Sequence, residues 1–404
     1  MKIVTVGTGM AATEFVSTLR EQGSRDEIIM ISPEDLPPYS PCSMPFFLAG
    51  EPLDTVYWKG ADFYQKYGAQ TVLGESATEI DPDSQVLTTD KGRKIEYDRL
   101  FFSSGSKSWY PDPSMLSARG VFGFKTLTDL LEIDAYLKEE NCGNAVVFGG
   151  GFIGVDAALC LHHRGLDVTL VHRNNRVLSQ MTDNDGGIFA TELIKRRTGV
   201  KIILKNVVER INTDNGQLTG VVLTDGTEID TRLLILSVGV SPNSESLTGK
   251  DSGVTVDGFL KYSGNIFAAG DVAVTKHKVT GENKIYGTYP NARAQAKNCA
   301  LGLIHGEAEY EGSINTNVLK KHIDFSIIAA GIYEGEQLTF TGGDIFRRIY
   351  LKDGKINGYQ IVGDTLLSGY IYGLYVSQKT VSEDFLKAFG KNDSTHYYRS
   401  LLMR

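Results

Sequence analysis

The chain has 404 residues, of which 41% are hydrophobic and 22% charged, a composition typical of a globular protein that excludes a mainly disordered or fibrous chain. Its length predicts two to three domains of about 150 residues each. The net charge of −8 argues against nucleic acid as a partner.

The cysteines and the N-terminus narrow the class of protein further. The sequence holds Cys42, Cys142, Cys160 and Cys299, without the paired spacing of a metal site or of a disulfide framework. We therefore expect no metal and a reducing, cytoplasmic setting. No signal-peptide segment is found at the N-terminus, and no apolar run reaches the ~18 residues of a membrane span, so we expect no membrane insertion.

A strand–turn–helix–strand unit opens the chain. We predict a buried strand at 2–7, a helix over Met10–Gln22 and a second strand at Glu27–Ser32. The turn Gly7-Thr8-Gly9-Met10-Ala11-Ala12 has the G-x-G-x-x-A pattern of a dinucleotide site, where backbone approaches a pyrophosphate at a helix N-terminus. Glu34 is the candidate for the ribose hydroxyls. A turn that only packs helix on strand is the alternative.

The same order returns after Asn144. Strands at Ala145–Phe148 and Asp167–His172 flank a helix at Phe152–His163, which follows Gly149-Gly150-Gly151-Phe152-Ile153-Gly154, a full G-x-G-x-x-G. The position that is usually acidic holds His172, followed by Arg173 and Arg176. Arginine accommodates a 2′-phosphate that a carboxylate would repel, which favours NADP(H). Binding of NAD(H) by backbone contacts, with the arginines as surface charges, stays open.

A third element is repeated as well. Residues 91–106 align without gaps on residues 225–240, which matches Gly105 to Gly239. Two complete copies of one unit predict two bound dinucleotides, which we interpret as a tightly held flavin and an exchanging nicotinamide.

The remaining chain predicts a loop-rich segment at 241–265, a short strand in Asn265–Val274 that ends in Gly270-Asp271, and a helix at Tyr289–Gly302. Strands follow at 324–331, 338–341, 345–351 and 356–362, with a hairpin turn at Asp353-Gly354-Lys355 and a closing helix at 366–378.

Five segments resemble the FAD-dependent pyridine nucleotide-disulfide oxidoreductase superfamily: GTGMAA (7–12), FFSSGS (101–106), GGGFIG (149–154), LSVGVSPN (236–243) and IFAAGDVA (266–273). The resemblance is strong over about 1–310 and weak beyond. It implies an α/β fold of two Rossmann-like dinucleotide-binding domains and a small C-terminal α+β interface domain. The implied division is 1–115 and 244–311 for FAD, 116–243 for NAD(P), and 312–404 for the interface domain.

The resemblance also implies roles for individual residues. The first glycine motif would hold FAD, together with Ser104, Gly105, Gly270 and Asp271, and the aspartate would contact the ribityl chain. The helix that begins near Pro290 would point its N-terminus at the isoalloxazine and favour the reduced, anionic flavin. The second motif would hold NAD(P)H, with Gly239 and with Asp156, which stands where the family has a glutamate. Solvation of the helix is the alternative role for Asp156.

The loop around Cys42 indicates the branch of the superfamily. The C-x4-C of the two-cysteine branch is absent, as is its C-terminal histidine–glutamate base, and Pro41 and Phe46 replace the Arg and Lys of the rubredoxin- and ferredoxin-reductase branch. Cys42-Ser43-Met44-Pro45-Phe46 is similar to the single-cysteine branch of CoA-disulfide reductases and NADH oxidases. Cys42 is therefore the candidate redox cysteine; a small buried hydrophobe is the alternative. We interpret the other three cysteines as structural.

These observations predict an FAD-dependent NAD(P)H oxidoreductase that passes electrons between a nicotinamide and a second redox centre. We favour the flavoprotein subunit of an iron–sulfur complex, because there is no dithiol relay and the short C-terminal segment could dock another chain in place of a homodimer. A stand-alone CoA-disulfide or polysulfide reductase or NADH oxidase that uses Cys42 is the alternative, and an NAD(P)H-dependent redox sensor is the non-enzymatic one. We expect core or interface positions for the C-terminal tyrosines, which are Tyr350, Tyr359, Tyr370, Tyr372, Tyr375, Tyr397 and Tyr398.

Overall fold

The structure is a computed structural model that describes residues 1–306 and 308–391. It divides into two compact units. Unit 1 comprises Met1–Trp109, Lys125–Thr128 and Val240–Ile314, and unit 2 comprises Tyr110–Phe124, Asp129–Gly239 and the described residues from Asn315 onward. Strands β1–β27 and helices α1–α10 are numbered below in chain order. The predicted division into four segments stays a prediction, which we retain as a proposal.

Unit 1 is built on a six-stranded sheet in which neighbouring strands run parallel except at one edge. In spatial order the strands are β19 (Lys261–Ser263), β20 (Ile266–Ala268), β7 (Arg99–Phe102), β1 (Lys2–Val6), β2 (Glu27–Ser32) and β3 (Gln70–Leu73). Their near-continuous apolar sequences fit strands that are covered on both faces.

Two long helices cover one face of this sheet: α1 (Met10–Glu21) and α8 (Tyr289–His305). The ring of Phe15 on α1 stacks on Phe101 of β7 at 4.0 Å between centroids, and both side chains are almost completely buried. Shorter helices are α2 (Met44–Leu48), α3 (Phe63–Lys66), α7 (Glu245–Thr248) and a 3₁₀ turn at Leu53–Val56. The residues that follow the first glycine turn, at the start of α1, therefore lie in a packed core with residues of α8.

Three small sheets complete unit 1. They contain β4 (Ala77–Asp81), β5 (Val86–Thr89) and β6 (Lys94–Glu96); β8 (Ser106–Ser108) and β17 (Val240–Pro242); and β18 (Val254–Thr255), β21 (Ala273–Lys276) and β22 (Asn283–Ile285).

Unit 2 repeats this plan with a five-stranded parallel sheet. Its order is β12 (Lys201–Leu204), β11 (Asp167–His172), β10 (Asn144–Phe148), β16 (Leu234–Leu236) and β9 (Val121–Phe122). The antiparallel strands β13 (Val208–Asp214), β14 (Gln217–Leu223) and β15 (Glu228–Asp230) correspond to β4–β6. The helices are α4 (Leu127–Glu140), α5 (Phe152–His163) and α6 (Asn184–Thr198), with a 3₁₀ turn at Pro113–Ser117. Both units therefore have the Rossmann-like arrangement that the repeat predicts.

The C-terminal part of unit 2 is an antiparallel sheet of β23 (Asn317–Leu319), β24 (Ser326–Gly331), β27 (Lys355–Gly363), β26 (Ile345–Lys352) and β25 (Glu336–Gly342), in that spatial order. Asp353 and Gly354 both have positive φ, +51° and +70°, which gives the predicted hairpin a type I′ turn. Two helices follow, α9 (Ser368–Ser377) and α10 (Glu383–Lys391). This sheet with its helices is the α+β element expected at the C-terminus.

Some expectations differ from the structure. The strand predicted to end in Gly270-Asp271 is β20, which ends at Ala268, and Gly270 follows with φ +82°; sequence reasoning missed β21, which starts at Ala273. Sequence reasoning also missed α10. Tyr350, Tyr359 and Tyr375 are buried, Tyr370 is half-buried and Tyr372 is exposed, whereas Tyr397 and Tyr398 lie outside the described residues. In the part of the chain that the structure describes, no helix is both long and apolar enough to cross a bilayer.

Candidate functional site

The first glycine turn brings backbone close to backbone. Gly7 has φ +97°, and a Cβ there would lie 2.4 Å from the carbonyl oxygen of Ser103, so only glycine fits. Gly9, in contrast, faces open space, and it is the N-cap of α1 without a side-chain hydrogen bond. Met10, Ala11 and Ala12 form the buried first turn of that helix. The N–H groups at the start of α1 are thus left for an anionic ligand.

The second turn has the same construction in unit 2. Gly149 has φ +122°, and a Cβ there would lie 2.0 Å from the carbonyl oxygen of Ser237. Gly154 is required because its Cβ would meet the carbonyl oxygen of Gly149 at 1.8 Å. Gly151 faces open space and starts α5 without a side-chain cap, and Phe152 and Ile153 are partly exposed. This turn too is shaped for a phosphate.

A cavity of about 460 Å³ lies in unit 1 at the carboxyl ends of β1, β2 and β3, the place where open α/β sheets bind ligands. Gly7 and Ser104, two of the predicted flavin residues, line it, and so do Ala77 and Asn243, which sequence reasoning missed; binding of FAD by these residues stays a prediction. Ser104 Oγ donates to the carbonyl of Asn243 at 2.6 Å. Because β3 lies next to β2 in a parallel sheet, the residues that follow β3 could have been expected to line a site at the carboxyl ends of the strands. The cavity and the open turn beside it fit the nucleotide half of FAD.

Glu34 is not among the described residues that line this cavity. Its carboxylate accepts hydrogen bonds from Tyr39 Oη at 2.8 Å and from Thr128 Oγ1 at 3.0 Å. Tyr39 Oη accepts in turn from the backbone N–H of Leu127 at 3.2 Å. Glu34 therefore orders a loop beside the site, and its contact with a ribose stays a prediction.

The predicted flavin residues Gly105, Gly270 and Asp271 all lie in unit 1. Gly105 adopts φ +70° directly after Ser104. The N–H of Gly270 donates to Gln295 of α8 at 2.7 Å, and Asp271 accepts from Ser106 Oγ at 3.2 Å and lies 3.4 Å from Lys125 Nζ. Pro290 stands in the first turn of α8, whose N-cap makes no side-chain hydrogen bond. The start of α8 thus also lacks a side-chain cap, like the starts of α1 and α5.

Cys42 is exposed, two residues before α2. The interpretation of this side chain as a small buried hydrophobe is therefore wrong. Burial raises the pKa of Tyr289; the charge of Arg293 opposes this shift, and Cys42 adds to it. The thiol thus lies within electrostatic range of Tyr289, in the first turn of α8. A redox role for Cys42 stays a prediction.

His172 ends β11 and covers the second glycine turn. Its Nδ1 accepts from the N–H of Gly150 at 2.9 Å, and the ring occupies the space that a Cβ of Gly150 would need. Burial, with the charges of Arg173 and Arg176, lowers the pKa of His172 to about 4, so the ring is neutral. Arg173 is exposed, whereas the guanidinium of Arg176 donates to backbone carbonyls of its own loop.

Asp156 on α5 is 4% exposed and forms an ion pair with Lys321 at 2.7 Å. Burial raises the pKa of Asp156, and the charge of Lys321 opposes this shift. Its Oδ1 is buried without a hydrogen-bond partner among the described residues. Gly239 ends the unit-2 segment that follows β16. A contact of either residue with nicotinamide stays a prediction.

Glu14 is a buried, ion-paired carboxylate that sequence reasoning missed. It follows Gly7 by the same seven positions by which Asp156 follows Gly149, so the alignment of the repeats could have found it. Glu14 is 6% exposed and pairs with Lys59 at 3.1 Å and with Arg293 at 3.0 Å. Burial opposes its ionisation, but the hydrogen bonds from Arg293 and Lys59 lower its pKa overall. Each unit thus holds one buried carboxylate behind its glycine turn.

The other cysteines are less reactive. Cys160 and Cys299 are buried and Cys142 is half-buried, and burial raises the pKa of all three thiols. In the described ranges no group of histidine, cysteine and carboxylate side chains could hold a metal ion.

A family profile described as "Pyridine nucleotide-disulphide oxidoreductase" matches residues 1–296. The chain is 26% identical over 399 residues to the assimilatory nitrate reductase electron transfer subunit of Bacillus subtilis; this covers 94% of the chain but only half of that protein. It is 28% identical to the NADH oxidase of Methanocaldococcus jannaschii, covering 90% of the chain and 88% of that protein. Among solved structures it is similar to NADH:rubredoxin oxidoreductase from Clostridium acetobutylicum, with TM-score 0.78, 26% identity and coverage of 97% and 99%.

Proposed function

The chain belongs to the pyridine nucleotide-disulphide oxidoreductase family, whose members are FAD-dependent oxidoreductases that use NAD(P)H, and we propose that it delivers electrons from NAD(P)H to an iron–sulfur protein. The observation that carries the proposal is the duplicated turn: each unit presents one glycine-lined helix N-terminus without a side-chain cap. When bound, FAD would accept two electrons as hydride and could release them singly.

In this proposal the residues of unit 1 hold the flavin. Gly9 and the first N–H groups of α1 bind its pyrophosphate, since a Cβ at Gly9 would meet no protein atom. The adenosine lies in the cavity lined by Ser104, Ala77 and Asn243. Asp271, held by Ser106 and Lys125, accepts hydrogen bonds from the ribityl chain. The open N-terminus of α8 stabilises negative charge on the reduced ring.

The residues of unit 2 bind the nicotinamide dinucleotide. Gly151 and the start of α5 take its pyrophosphate. Arg173, exposed at the end of β11, is positioned to attract a 2′-phosphate, which supports NADPH as donor, whereas the loop contacts of Arg176 remove that residue from this role.

An iron–sulfur acceptor is favoured because Cys42 has no second exposed thiol to work with. The only other cysteine of unit 1, Cys299, is buried and has a raised pKa. Electron-transfer and rubredoxin-linked relatives agree with such an acceptor. The second candidate is reduction of a small disulfide, polysulfide or oxygen with help from Cys42, and the exposure of this thiol near the start of α8 favours it. We further propose the cytoplasm as the setting, on the cysteine pattern alone.

An anaerobic titration of the purified yellow protein with NADH and with NADPH tests the proposal. We expect full reduction at two electrons per flavin without a long-wavelength charge-transfer band. Uptake of four electrons, with such a band after the first two, would instead support the second candidate, in which Cys42 takes part in reduction of a small acceptor. Absence of flavin reduction by either nucleotide would refute both candidates.

Replacement of Cys42 by serine separates the two acceptors. Under our proposal the variant reduces a ferredoxin or rubredoxin at the wild-type rate, and Cys142→Ser, at a half-buried thiol, serves as the matched control. Loss of protein-acceptor reduction in the Cys42 variant alone would contradict the proposal, and loss of disulfide reduction alone would identify the second activity.

A further inference from the structure

The loop between β11 and α6, residues 173–183, belongs to the nucleotide end of unit 2. It follows His172, at the carboxyl end of a parallel strand, and the N–H of Leu178 donates to the carbonyl of Gly150 in the glycine turn at 2.7 Å. Ligands of open α/β sheets bind outside the carboxyl ends of the strands. On the proposed function, on which this inference rests, the loop therefore borders the adenosine end of NAD(P)H.

Asp183, the last residue of this loop, is fastened to the C-terminal sheet. Its N–H donates to Gln360 Oε1 of β27 at 3.0 Å. Its Oδ2 accepts from Arg348 at 2.6 Å and from the hydroxyl of Tyr350, both on β26. Its Oδ1 caps α6 by accepting from the N–H of Gly186 at 2.7 Å. One residue thus joins the loop, the helix and two strands that follow it by more than 160 positions.

A second contact fastens the loop two residues earlier. The hydroxyl of Tyr333 donates to the carbonyl of Met181. Within the loop, Arg176 Nε donates to the carbonyl of Asp183 at 3.0 Å, and its Nη2 reaches those of Thr182 and Ser179 at 3.3 and 3.4 Å. The end of the loop is therefore held both from inside and from the sheet.

The contacts at Asp183 are well shielded from water. Gln360 is fully buried, and the side chains of Arg348 and Asp183 are each 12% exposed. Burial opposes ionisation of Asp183, but hydrogen bonds from Tyr350, Gly186 and Arg348 together hold its pKa below the ordinary value. Salt screens such a partly buried pair much less than a surface pair.

Two glycines in the first turn of α6 allow the side chains of Gln360 and Arg176 to pack closely against this turn. A Cβ on Gly186 would lie 2.3 Å from Gln360 Oε1, and one on Gly187 would lie 2.5 Å from Cδ of Arg176. Each glycine in a helix is about 1 kcal/mol less favourable than alanine. The pair is explained by the close packing of Gln360 and Arg176 on this turn.

We propose that the C-terminal sheet sets the affinity for the pyridine nucleotide. Arg348 and Tyr350 are positioning residues: they touch no nucleotide but hold the loop at residues 173–183 in its binding conformation through Asp183. The C-terminal sheet then has a role within its own chain, which is independent of whether it also docks a partner. Loss of the contacts of Arg348 and Tyr350 with Asp183 lowers the affinity for the nucleotide but leaves the reaction of the bound nucleotide unchanged.

The test uses the purified holoenzyme and the variants Arg348→Met and Tyr350→Phe. Equilibrium titration with NADH and NADPH gives the dissociation constants, dye reduction gives KM and kcat, and hydrogen exchange reports on residues 173–183. We expect the dissociation constant and KM to rise about tenfold in Arg348→Met, with kcat within twofold and faster exchange confined to the loop. Arg348→Lys should recover part of the affinity.

The matched control is Arg196→Met, which removes another ion pair between α6 and the C-terminal part, that with Asp344, at the far end of the helix. It should leave nucleotide affinity unchanged. If Arg348→Met does not fold, Tyr350→Phe, which removes one hydroxyl, carries the same prediction at about threefold. Wild-type affinity and loop exchange in the folded variants would overturn the inference alone, whereas a wild-type holoenzyme that binds neither nucleotide would overturn the proposed function with it.

Discussion

Replacement of Lys321 by methionine tests how far unit 2 depends on its buried carboxylate. The Asp156 side chain is 6% exposed and that of Lys321 21%, and removal of one partner of a buried pair costs about 3–5 kcal/mol of unfolding free energy. Because Lys321 is partly exposed and the charge of His322 also acts on Asp156, we expect the lower end of this range, about 3 kcal/mol, at pH 8.

The loss should shrink in acid. Burial already raises the pKa of Asp156 above its ordinary value, and removal of the lysine raises it further. A carboxyl whose pKa is higher in the folded than in the unfolded chain contributes stability below the unfolded pKa, and this contribution disappears as the pH rises through the folded value. The deficit of Lys321→Met is therefore smaller at pH 5 than at pH 8.

Urea denaturation at both pH values measures this deficit. Far-UV circular dichroism follows the whole chain, whereas Trp58 and Trp109 both lie in unit 1, so tryptophan fluorescence reports on the unit without the mutation. A second variant, Asp156→Asn combined with Lys321→Met, should recover at least half of the loss at pH 8, since no buried carboxylate remains. An equal loss at the two pH values, or no recovery in the double variant, would refute the reasoning.

Three further outcomes are expected. Gly7→Ala should lose at least ~2 kcal/mol of stability through strain at positive φ, whereas Gly9→Ala should keep the stability of the flavin-free protein within ~0.5 kcal/mol but retain less FAD. Thermal melting of the flavin-free proteins and flavin absorbance check both, and equal flavin loss in the two variants without destabilisation of Gly7→Ala would contradict the assignment. Asp271→Ala should purify with reduced flavin content, and its flavin-free form should melt at the wild-type temperature, since bound flavin itself adds stability; full flavin content would remove Asp271 from the site. In native protein Cys42 should react with a thiol reagent well before Cys299, whose pKa burial raises; mass mapping of the labelled peptides shows the order, and prior labelling of Cys299 would refute it.

The parts of the fold that the sequence predicts are those set by local pattern. Glu27–Ser32, Phe152–His163 and Asp167–His172 match the structure to the residue, because glycine turns and apolar periodicity mark both ends of each element. The strand expected before Gly270-Asp271 is also found, at Ile266–Ala268, whereas β21 at Ala273–Lys276 was missed. A strand of four residues carries too little periodicity to be recognised.

Contacts between residues that are far apart in the sequence could not be predicted from it. The partner of Asp183 stands 165 residues later, and the partner of Asp156 is likewise 165 residues away. No local pattern marks Arg348 or Lys321, since each is the second of two adjacent cations and such pairs are ordinary in strands and loops. Glu14 differs, because the repeat alignment alone places it opposite Asp156.

Glu14 and Asp156, the buried carboxylates that follow the two glycine turns, bear on how the two units can evolve. Glu14 pairs with Lys59 and Arg293 of unit 1, whereas Asp156 pairs with Lys321 in the C-terminal part of unit 2, so the two charge networks share no residue. Mutations in one of these charge networks therefore leave the other intact. On the proposed function, retention of the flavin in unit 1 and binding of the exchanging nicotinamide in unit 2 can therefore evolve separately.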